Sequence, residues 1–297
     1  MKIKLLFLLV LFSKILFSQV SGIVKDSLTQ KPIPYVNIWL VNQNTGTTSD
    51  TNGRFHLPET ASSAVLAFSS VGYKAKKANL QASCIVYLQS QMIDLPEFII
   101  TSSKEIKHLS VGQFQKSDIF SLFACGTAPW IVARYFPYSS QYNETPLIQS
   151  LKLLTRSQVK NASFNIRFYD VKEDGSPGNF LYDRNILGVV KKGKSLTFVD
   201  LSPYNICIPN KGIFIAVEWL LTEENKYEYT YTMPGSKKRN KGIRYEPAFG
   251  SIPCNTNNNS WIYSQGIWKN AWWKNKNRKT GTMENYSQLA VELLLTN

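Results

Sequence analysis

Histidine is scarce in this sequence, and its scarcity limits the chemistry open to the chain. His56 and His108 are the two histidines among 297 residues. The common catalytic zinc sites each use histidine, and a serine triad needs one as its general base. His56 opens an H-x-x-E pattern that ends at Glu59, but Pro58 ends the strand to which His56 belongs. We therefore expect a strand-end histidine, no bound metal and no cofactor.

Cysteine is also sparse, and its spacing excludes two further kinds of site. The four cysteines are Cys84, Cys125, Cys207 and Cys254. No two of them form a C-x-x-C pair, which excludes a zinc knuckle and a thioredoxin-like redox motif. In an oxidising compartment four cysteines allow three disulfide pairings, among which the sequence does not choose. Buried thiols are the alternative interpretation.

Long apolar runs are missing except at the start of the chain. Residues 5–12 are apolar after a basic start at Lys2 and Lys4, and Lys14 interrupts the run. The run falls short of the ~20 apolar residues that a spanning helix needs. The pattern predicts a cleaved signal peptide at residues 1–19. We expect an exported protein, periplasmic or associated with the outer membrane, with no membrane span after signal removal.

Acidic residues are outnumbered by basic ones. Lys and Arg total 34 against 20 Asp and Glu, which gives a formal net charge of +14. The excess gathers in residues 191–194, 237–241 and 269–279. Such a balance suits nucleic acid, an anionic envelope surface or solubility alone. Because an exported protein rarely meets nucleic acid, we expect no nucleic-acid partner.

Helical periodicity is weak throughout, and short alternating runs take its place near the N-terminus. Gly, Pro, Asn and Asp punctuate these runs, as in a small β-sandwich. Asn52 and Gly53 predict a tight turn, since both tolerate positive φ. The predicted strands are Val20–Lys25, Tyr35–Val41, Thr47–Ser49, Arg54–Leu57, Val65–Ser69, Tyr73–Asn79 and Ile85–Leu88.

Four short motifs in the same region carry a family resemblance. They are Gly22-x-Val24-x-Asp26, Pro32-x-Pro34-x-Val36-x-Ile38, Thr48-Ser49-Asp50-x-x-Gly53-x-Phe55 and Phe68-Ser69-x-x-Gly72-Tyr73. With these motifs, residues 20–92 resemble the carboxypeptidase-like regulatory domain. The resemblance implies a transthyretin-like, Ig-like sandwich of seven strands that docks rather than catalyses, as in exported envelope proteins of the Bacteroidetes type. No metallocarboxypeptidase catalytic domain accompanies it, so we predict that the protein is not an enzyme.

Residues 93–107 are predicted to be a linker. Within them Leu95–Thr101 is similar to the segment that follows this module in outer-membrane receptors. A docking segment and a plain extended linker are both open interpretations.

Residues 108–297 predict a second all-β domain, a jelly-roll-like β-sandwich. F-N-I-R-F-Y-D-V alternates apolar and polar residues, and G-I-F-I-A-V-E-W-L is a more buried run. The predicted strands are Leu147–Thr155, Ser163–Val171, Asn185–Val190, Leu196–Asp200, Gly212–Leu221, Glu228–Met233 and Leu289–Leu295.

The candidate binding residues are aromatic and basic and lie near the C-terminal end of the sequence. Aromatic faces contact rings of a ligand, and Lys attracts anions. Burial of the same tryptophans in the sandwich core is the alternative. The candidates are Trp261, Trp268, Trp272 and Trp273, with Lys269 and Lys274.

Other residues offer weaker signals. Glu218 or Glu246 could serve as the acid of a glycosidase, but a paired or hydrogen-bonded structural glutamate is the favoured interpretation. The loop Asp170–Gly178 carries carboxylates and glycine, as some calcium loops do, but a polar hairpin loop is the simpler interpretation.

The sequence thus predicts a non-enzymatic, exported cell-envelope protein that docks or binds a glycan or an envelope protein. An envelope polysaccharide hydrolase and a structural accessory of an outer-membrane complex are the alternative functions.

Overall fold

The computed structural model describes residues 20–57, 65–79, 83–92, 105–255, 259–270, 274–276 and 283–297. The predicted signal peptide and residues 93–104 of the predicted linker lie outside the described residues. The only helical segments in the described ranges are short 3₁₀ turns, at Lys116–Asp118, Ser140–Glu144, Ser202–Tyr204 and Glu223–Asn225. In these same ranges no helix has the length and apolar character needed to cross a bilayer.

Seven strands build the N-terminal sandwich: β1 (Val20–Asp26), β2 (Asn37–Leu40), β3 (Gly46–Thr48), β4 (Arg54–Leu57), β5 (Val65–Ser69), β6 (Lys76–Asn79) and β7 (Ser83–Leu88). One sheet has the order β4-β1-β7 and the other β3-β2-β5-β6. Strand β1 pairs antiparallel with β4 and parallel with β7. Val24, Ile38 and Phe68 are among the side chains buried between the two sheets.

In the described ranges sixteen strands build the C-terminal sandwich. They are β8 (His108–Val111), β9 (Ser121–Cys125), β10 (Ile131–Phe136), β11 (Leu147–Ser157), β12 (Ala162–Val171), β13 (Pro177–Phe180), β14 (Ile186–Val190), β15 (Gly193–Asp200), β16 (Ile213–Trp219), β17 (Lys226–Thr232), β18 (Arg239–Cys254), β19 (Ser260–Ser264), β20 (Ile267–Asn270), β21 (Lys274–Lys276), β22 (Met283–Leu289) and β23 (Val291–Thr296). The architecture confirms the predicted all-β chain of two sandwiches.

Two sheets of this second sandwich face each other. The seven-stranded sheet has the order β13-β12-β16-β10-β19-β20, with β14 also on β12. The nine-stranded sheet has the order β21-β22-β18-β11-β23-β8, with β15 on β11 and with β9 and β17 on β18. Between them the rings of Phe164 and Trp219 pack edge-on against Phe249, at centroid distances of 4.9 and 5.0 Å.

Strand β16 of the seven-stranded sheet is buried on both of its faces. All seven of its residues are buried. Ile213, Ile215, Val217 and Trp219 point into the main core. Because side chains alternate along a strand, Phe214, Ala216 and Glu218 lie on the opposite face, which the N-terminal sandwich partly covers.

The two sandwiches are joined through strand β2. Ile38 and Leu40 fill the core of the N-terminal sandwich, so Asn37 and Trp39 point outward. Asn37 Nδ2 donates to Glu218 Oε1 at 3.1 Å, and the Trp39 ring meets Tyr263 edge-on at 6.1 Å. On strand β3, Thr48 Oγ1 accepts from the Leu221 N–H at 2.9 Å. These directional contacts fix how one sandwich sits on the other.

The four cysteines are thiols in this structure, as one of the two interpretations predicted. Burial raises the pKa of Cys207 to about 11. It raises the pKa of the more deeply buried Cys125 further still.

We expect Cys125 and Cys207 to resist iodoacetamide in the native protein at pH 8, because the thiolate is the reactive species and both thiols stay protonated there. Both should react in urea. Peptide mass mapping of the alkylated protein measures this, with the half-buried Cys84 as the internal comparison. Equal labelling of Cys125 in native and unfolded protein would contradict the expectation.

Candidate ligand site between the two sandwiches

The outer face of the seven-stranded sheet carries a cluster of aromatic side chains. Alternation on β12, β16 and β10 sends every second residue away from the main core. The residues on this side include Tyr135, Tyr169, Phe180, Phe214, Trp261, Tyr263 and Trp268. Trp268 touches Tyr169 and Tyr263, with ring centroids 5.1 and 5.2 Å apart.

A buried ion pair lies beside these rings. Arg167 Nη2 and Nε lie 2.6 and 2.8 Å from Glu218 Oε2. Asn165 Nδ2 donates to the same oxygen at 3.2 Å, and Asn37 Nδ2 donates to Oε1. Arg167 Nη1 also donates to Asn185 Oδ1 at 2.8 Å. Both oxygens of Glu218 therefore accept hydrogen bonds, and residues from both sandwiches supply them.

The aromatic cluster and the ion pair line one small cavity, which we call the interface cavity. Its volume is about 130 Å³. Asn37, Ser69, Ser70 and Val71 line it from the N-terminal sandwich. The C-terminal sandwich contributes Ile131, Arg167, Tyr169, Gly178, Phe180, Glu218, Tyr263 and Trp268.

Two polar groups that line the interface cavity have unmet hydrogen-bonding capacity. Asn37 Oδ1 and Ser70 Oγ are buried and have no hydrogen-bond partner among the described residues. An unsatisfied buried polar group costs about 1–3 kcal/mol. A small polar molecule in the cavity would relieve that cost.

The tyrosines of the cavity are held in their protonated form. Burial, and then the negative charge of Glu218, raises the pKa of Tyr263 to about 12. The same two causes raise the pKa of Tyr169 well above its ordinary value. At neutral pH both phenols are therefore neutral groups that can donate a hydrogen bond.

The predicted site residues are distributed as follows. Trp268 lines the interface cavity. Trp261 is half-buried on the same sheet face, edge-on to Phe214 at 6.2 Å, but does not line the cavity. Lys269 is exposed, and alternation along β20 places it on the face opposite Trp268.

The structure locates only one of the other three predicted residues. Lys274 belongs to β21 in the nine-stranded sheet. Trp272 and Trp273 lie outside the described residues.

The residues singled out for other chemistry have structural partners. Glu246 accepts from Arg244 Nε at 2.8 Å. The exposed His56 lies 3.0 Å from Ser21 Oγ through its Nδ1, while Glu59 lies outside the described residues. In the Asp170–Gly178 hairpin, Asp174 Oδ1 accepts from Ser176 N and Oγ. No group of three metal-ligating side chains occurs in the part of the chain that the structure describes.

Sequence reasoning missed most of the polar side of the cavity. Asn165, Arg167 and Tyr169 alternate with the core residues Phe164, Ile166 and Phe168, and such a pattern normally marks a solvent-facing side. The signal that could have found them is Glu218, an acid inside an apolar strand, which requires a buried cation as partner.

Residues 20–100 match the model of the CarboxypepD_reg-like domain family. The N-terminal sandwich is thus a domain of this kind, which confirms the resemblance seen in its motifs. No curated protein matches the chain.

Solved structures give remote likenesses. One is the cysteine protease and lectin-like domains of Cwp84, a surface layer associated protein of Clostridium difficile, with 11% identity and a TM-score of 0.37; the match covers 62% of this chain and 37% of that one. Another is the structure of infectious bursal disease virus, Gx strain, with 11% identity and a TM-score of 0.25. That match covers 94% of this chain and 62% of the viral chain. These TM-scores are too low to support a functional inference, so function must be inferred from the residues of the chain itself.

Proposed function

We propose that this protein is an exported, non-catalytic binding module of the cell envelope that takes a sugar unit of a glycan into the interface cavity. One observation carries the proposal: aromatic rings wall a small cavity that also presents unpartnered, buried polar atoms. Sugars offer apolar C–H faces for the rings and hydroxyl groups for Asn37 and Ser70.

The size of the cavity narrows the ligand. Drug-sized pockets measure about 300–1,000 Å³, whereas this cavity measures about 130 Å³. It therefore suits a single residue at the end or branch of a glycan better than the middle of a chain. Arg167 and Glu218 would fix the orientation of that residue, because both groups are immobilised by their mutual ion pair.

Export and envelope location remain part of the proposal. They are supported by the apolar, lysine-flanked segment at residues 1–19 and by the excess of basic residues over acidic ones.

The hydrolase alternative would need a second carboxylate facing Glu218 across the cavity, and no other acid lines the cavity in the described ranges. The accessory alternative depends on Leu95–Thr101, which lies outside them.

Trp268→Ala is expected to weaken glycan binding at least tenfold, because it removes one wall of the interface cavity. A glycan and peptidoglycan array, followed by titration calorimetry with the best ligand, measures the loss. Trp261→Ala is the matched control, since Trp261 shares the sheet face but not the cavity, and should change affinity by less than about threefold.

Ser70→Ala separates binding from folding. Removing a buried hydroxyl without a partner should leave the melting temperature unchanged or raised, while a ligand that hydrogen-bonds to Ser70 should bind about fivefold more weakly. No glycan bound by the wild type, or equal losses for Trp268→Ala and Trp261→Ala, would refute the proposed site.

A further inference from the structure

Strand β17 and the first part of β18 form a hairpin at the edge of the nine-stranded sheet, which we call the tyrosine hairpin. The two strands pair from Lys226 opposite Tyr245 to Thr232 opposite Arg239. Strand β17 has β18 as its one partner among the described strands. Its last five residues are exposed, although three aromatic side chains alternate along it.

The three tyrosines lie in one row on one face of the tyrosine hairpin. Tyr227 and Tyr229 have rings parallel within 11° and centroids 6.2 Å apart, and Tyr231 follows with its centroid 5.9 Å from that of Tyr229. Gly242 is the cross-strand neighbour of Tyr229. A Cβ at Gly242 would lie 2.6 Å from Tyr229 Cζ, so the ring crosses the bare backbone there. Glycine thus provides the space in which Tyr229 lies against the partner strand.

The row is open to solvent on its outer side. Tyr229 is 37% exposed and Tyr231 is 42% exposed. At the inner end Arg244 stacks over Tyr227, with its guanidinium carbon 4.9 Å from the ring centroid. Arg244 is also paired with Glu246, so its position is fixed. The row is a built surface rather than a set of loose side chains.

Positive charge surrounds the free end of this row. Residues 226–245 contain six Lys or Arg and a single acid, Glu228. Lys226 pairs with Glu223 and Glu228, and Arg244 with Glu246. The remaining cations have no ion-pair partner within the described part of the chain: Lys237, Lys238, Arg239 and Lys241.

We propose that the tyrosine hairpin is a second docking surface, distinct from the interface cavity, and that its partner is an acidic polysaccharide. Rings spaced about 6 Å apart match a polymer of rings, and the cations match carboxylates carried by that polymer. The hairpin shares no residue with the interface cavity, so either site can function without the other.

The distribution of charge favours a polysaccharide over a single-stranded nucleic acid. A nucleic acid carries one phosphate for each base and requires cations along the whole stacking row. Here the residues opposite Tyr229 and Tyr231 are Gly242 and Asn240, which are uncharged. The unpaired cations gather at the turn and on the reverse face instead, which suits a chain with fewer and more widely spaced acids.

Binding of the purified chain from Val20 onward to hyaluronate, which carries one carboxylate for every two sugar rings, tests the proposal by affinity electrophoresis and calorimetry, with dextran as the neutral comparison. We expect binding to hyaluronate and none to dextran. Tyr229→Ser/Tyr231→Ser and Lys237→Gln/Lys238→Gln should each weaken binding at least tenfold. Lys191→Gln/Lys192→Gln removes the same charge from an exposed site without tyrosines and should change affinity by less than about twofold.

Three results would overturn the proposal. The first is no binding of hyaluronate by the wild type. The second is an equal loss in the Lys191/Lys192 control, or no loss in the tyrosine variant, since either would mean diffuse charge attraction. The third is tighter binding of oligodeoxythymidine or of phosphatidylglycerol vesicles than of hyaluronate. The exposed lysine pair at the turn can be changed without touching either core, so misfolding cannot hide the outcome.

Discussion

Glu218→Ala is expected to lower the free energy of unfolding by about 3–5 kcal/mol, the usual loss when one partner of a buried ion pair is removed. The substitution leaves the Arg167 guanidinium buried without its counter-charge. It also removes the acceptor of Asn37 Nδ2 and Asn165 Nδ2, and so breaks a connection between the two sandwiches. Urea unfolding followed by circular dichroism measures the loss.

The surface pair of Lys226 and Glu223 supplies the control for this prediction. Glu223→Ala should change stability by less than about 1 kcal/mol, because exposed pairs contribute little. The double variant Arg167→Met/Glu218→Leu should recover most of the stability lost in Glu218→Ala, since it removes both buried charges. A loss below 1 kcal/mol for Glu218→Ala would show that the pair is not buried as described.

Trp219→Ala is expected to destabilise the C-terminal sandwich by about 3–5 kcal/mol, the range typical of a large aromatic truncated in a core. The Trp219 ring stacks on Trp130 at 4.6 Å and meets Phe249 at 5.0 Å. Its Nε1 donates to the Pro247 carbonyl at 2.6 Å. Truncation therefore opens a cavity between the two sheets and leaves a buried carbonyl without its donor. Thermal unfolding measured by calorimetry tests this.

Two comparisons separate the contributions of Trp219. Trp219→Phe keeps part of the ring but loses the N–H, so an intermediate loss is expected, including about 1–3 kcal/mol for the unsatisfied carbonyl. Phe198→Ala removes an aromatic that is 66% exposed and should lie within about 0.5 kcal/mol of the wild type. Similar losses for Phe198→Ala and Trp219→Ala would contradict the assigned core.

Alternation was sufficient to find the N-terminal sandwich. Arg54–Leu57 and Val65–Ser69 occur in the structure with their predicted bounds, because each is a short run of strand-forming residues between turn residues. Strand β18 was missed. Its first half is basic and contains glycine, and Pro247 and Pro253 interrupt the second half, so nothing local favours a strand of 16 residues. Pairing with neighbouring strands stabilises it instead.

Of the residues that line the interface cavity, sequence reasoning singled out Trp268 as a candidate binding residue and Glu218 as a possible acid. Asn37 and Ser70 come from the other sandwich and were not considered. Asn37 donates a hydrogen bond to Glu218, which is 181 residues away in the sequence. No local pattern encodes such a contact, because it depends on how two separately patterned sandwiches pack against each other.

The position of β23 has a consequence for the timing of folding. This strand is the last in chain order of the described strands, yet it lies inside the nine-stranded sheet, between β11 and β8. Until it is synthesised, β11 and β8 each lack a neighbour, and unpaired strand edges invite aggregation. The C-terminal sandwich must therefore close after translation has passed residue 296, through contacts of high sequence separation that slow folding.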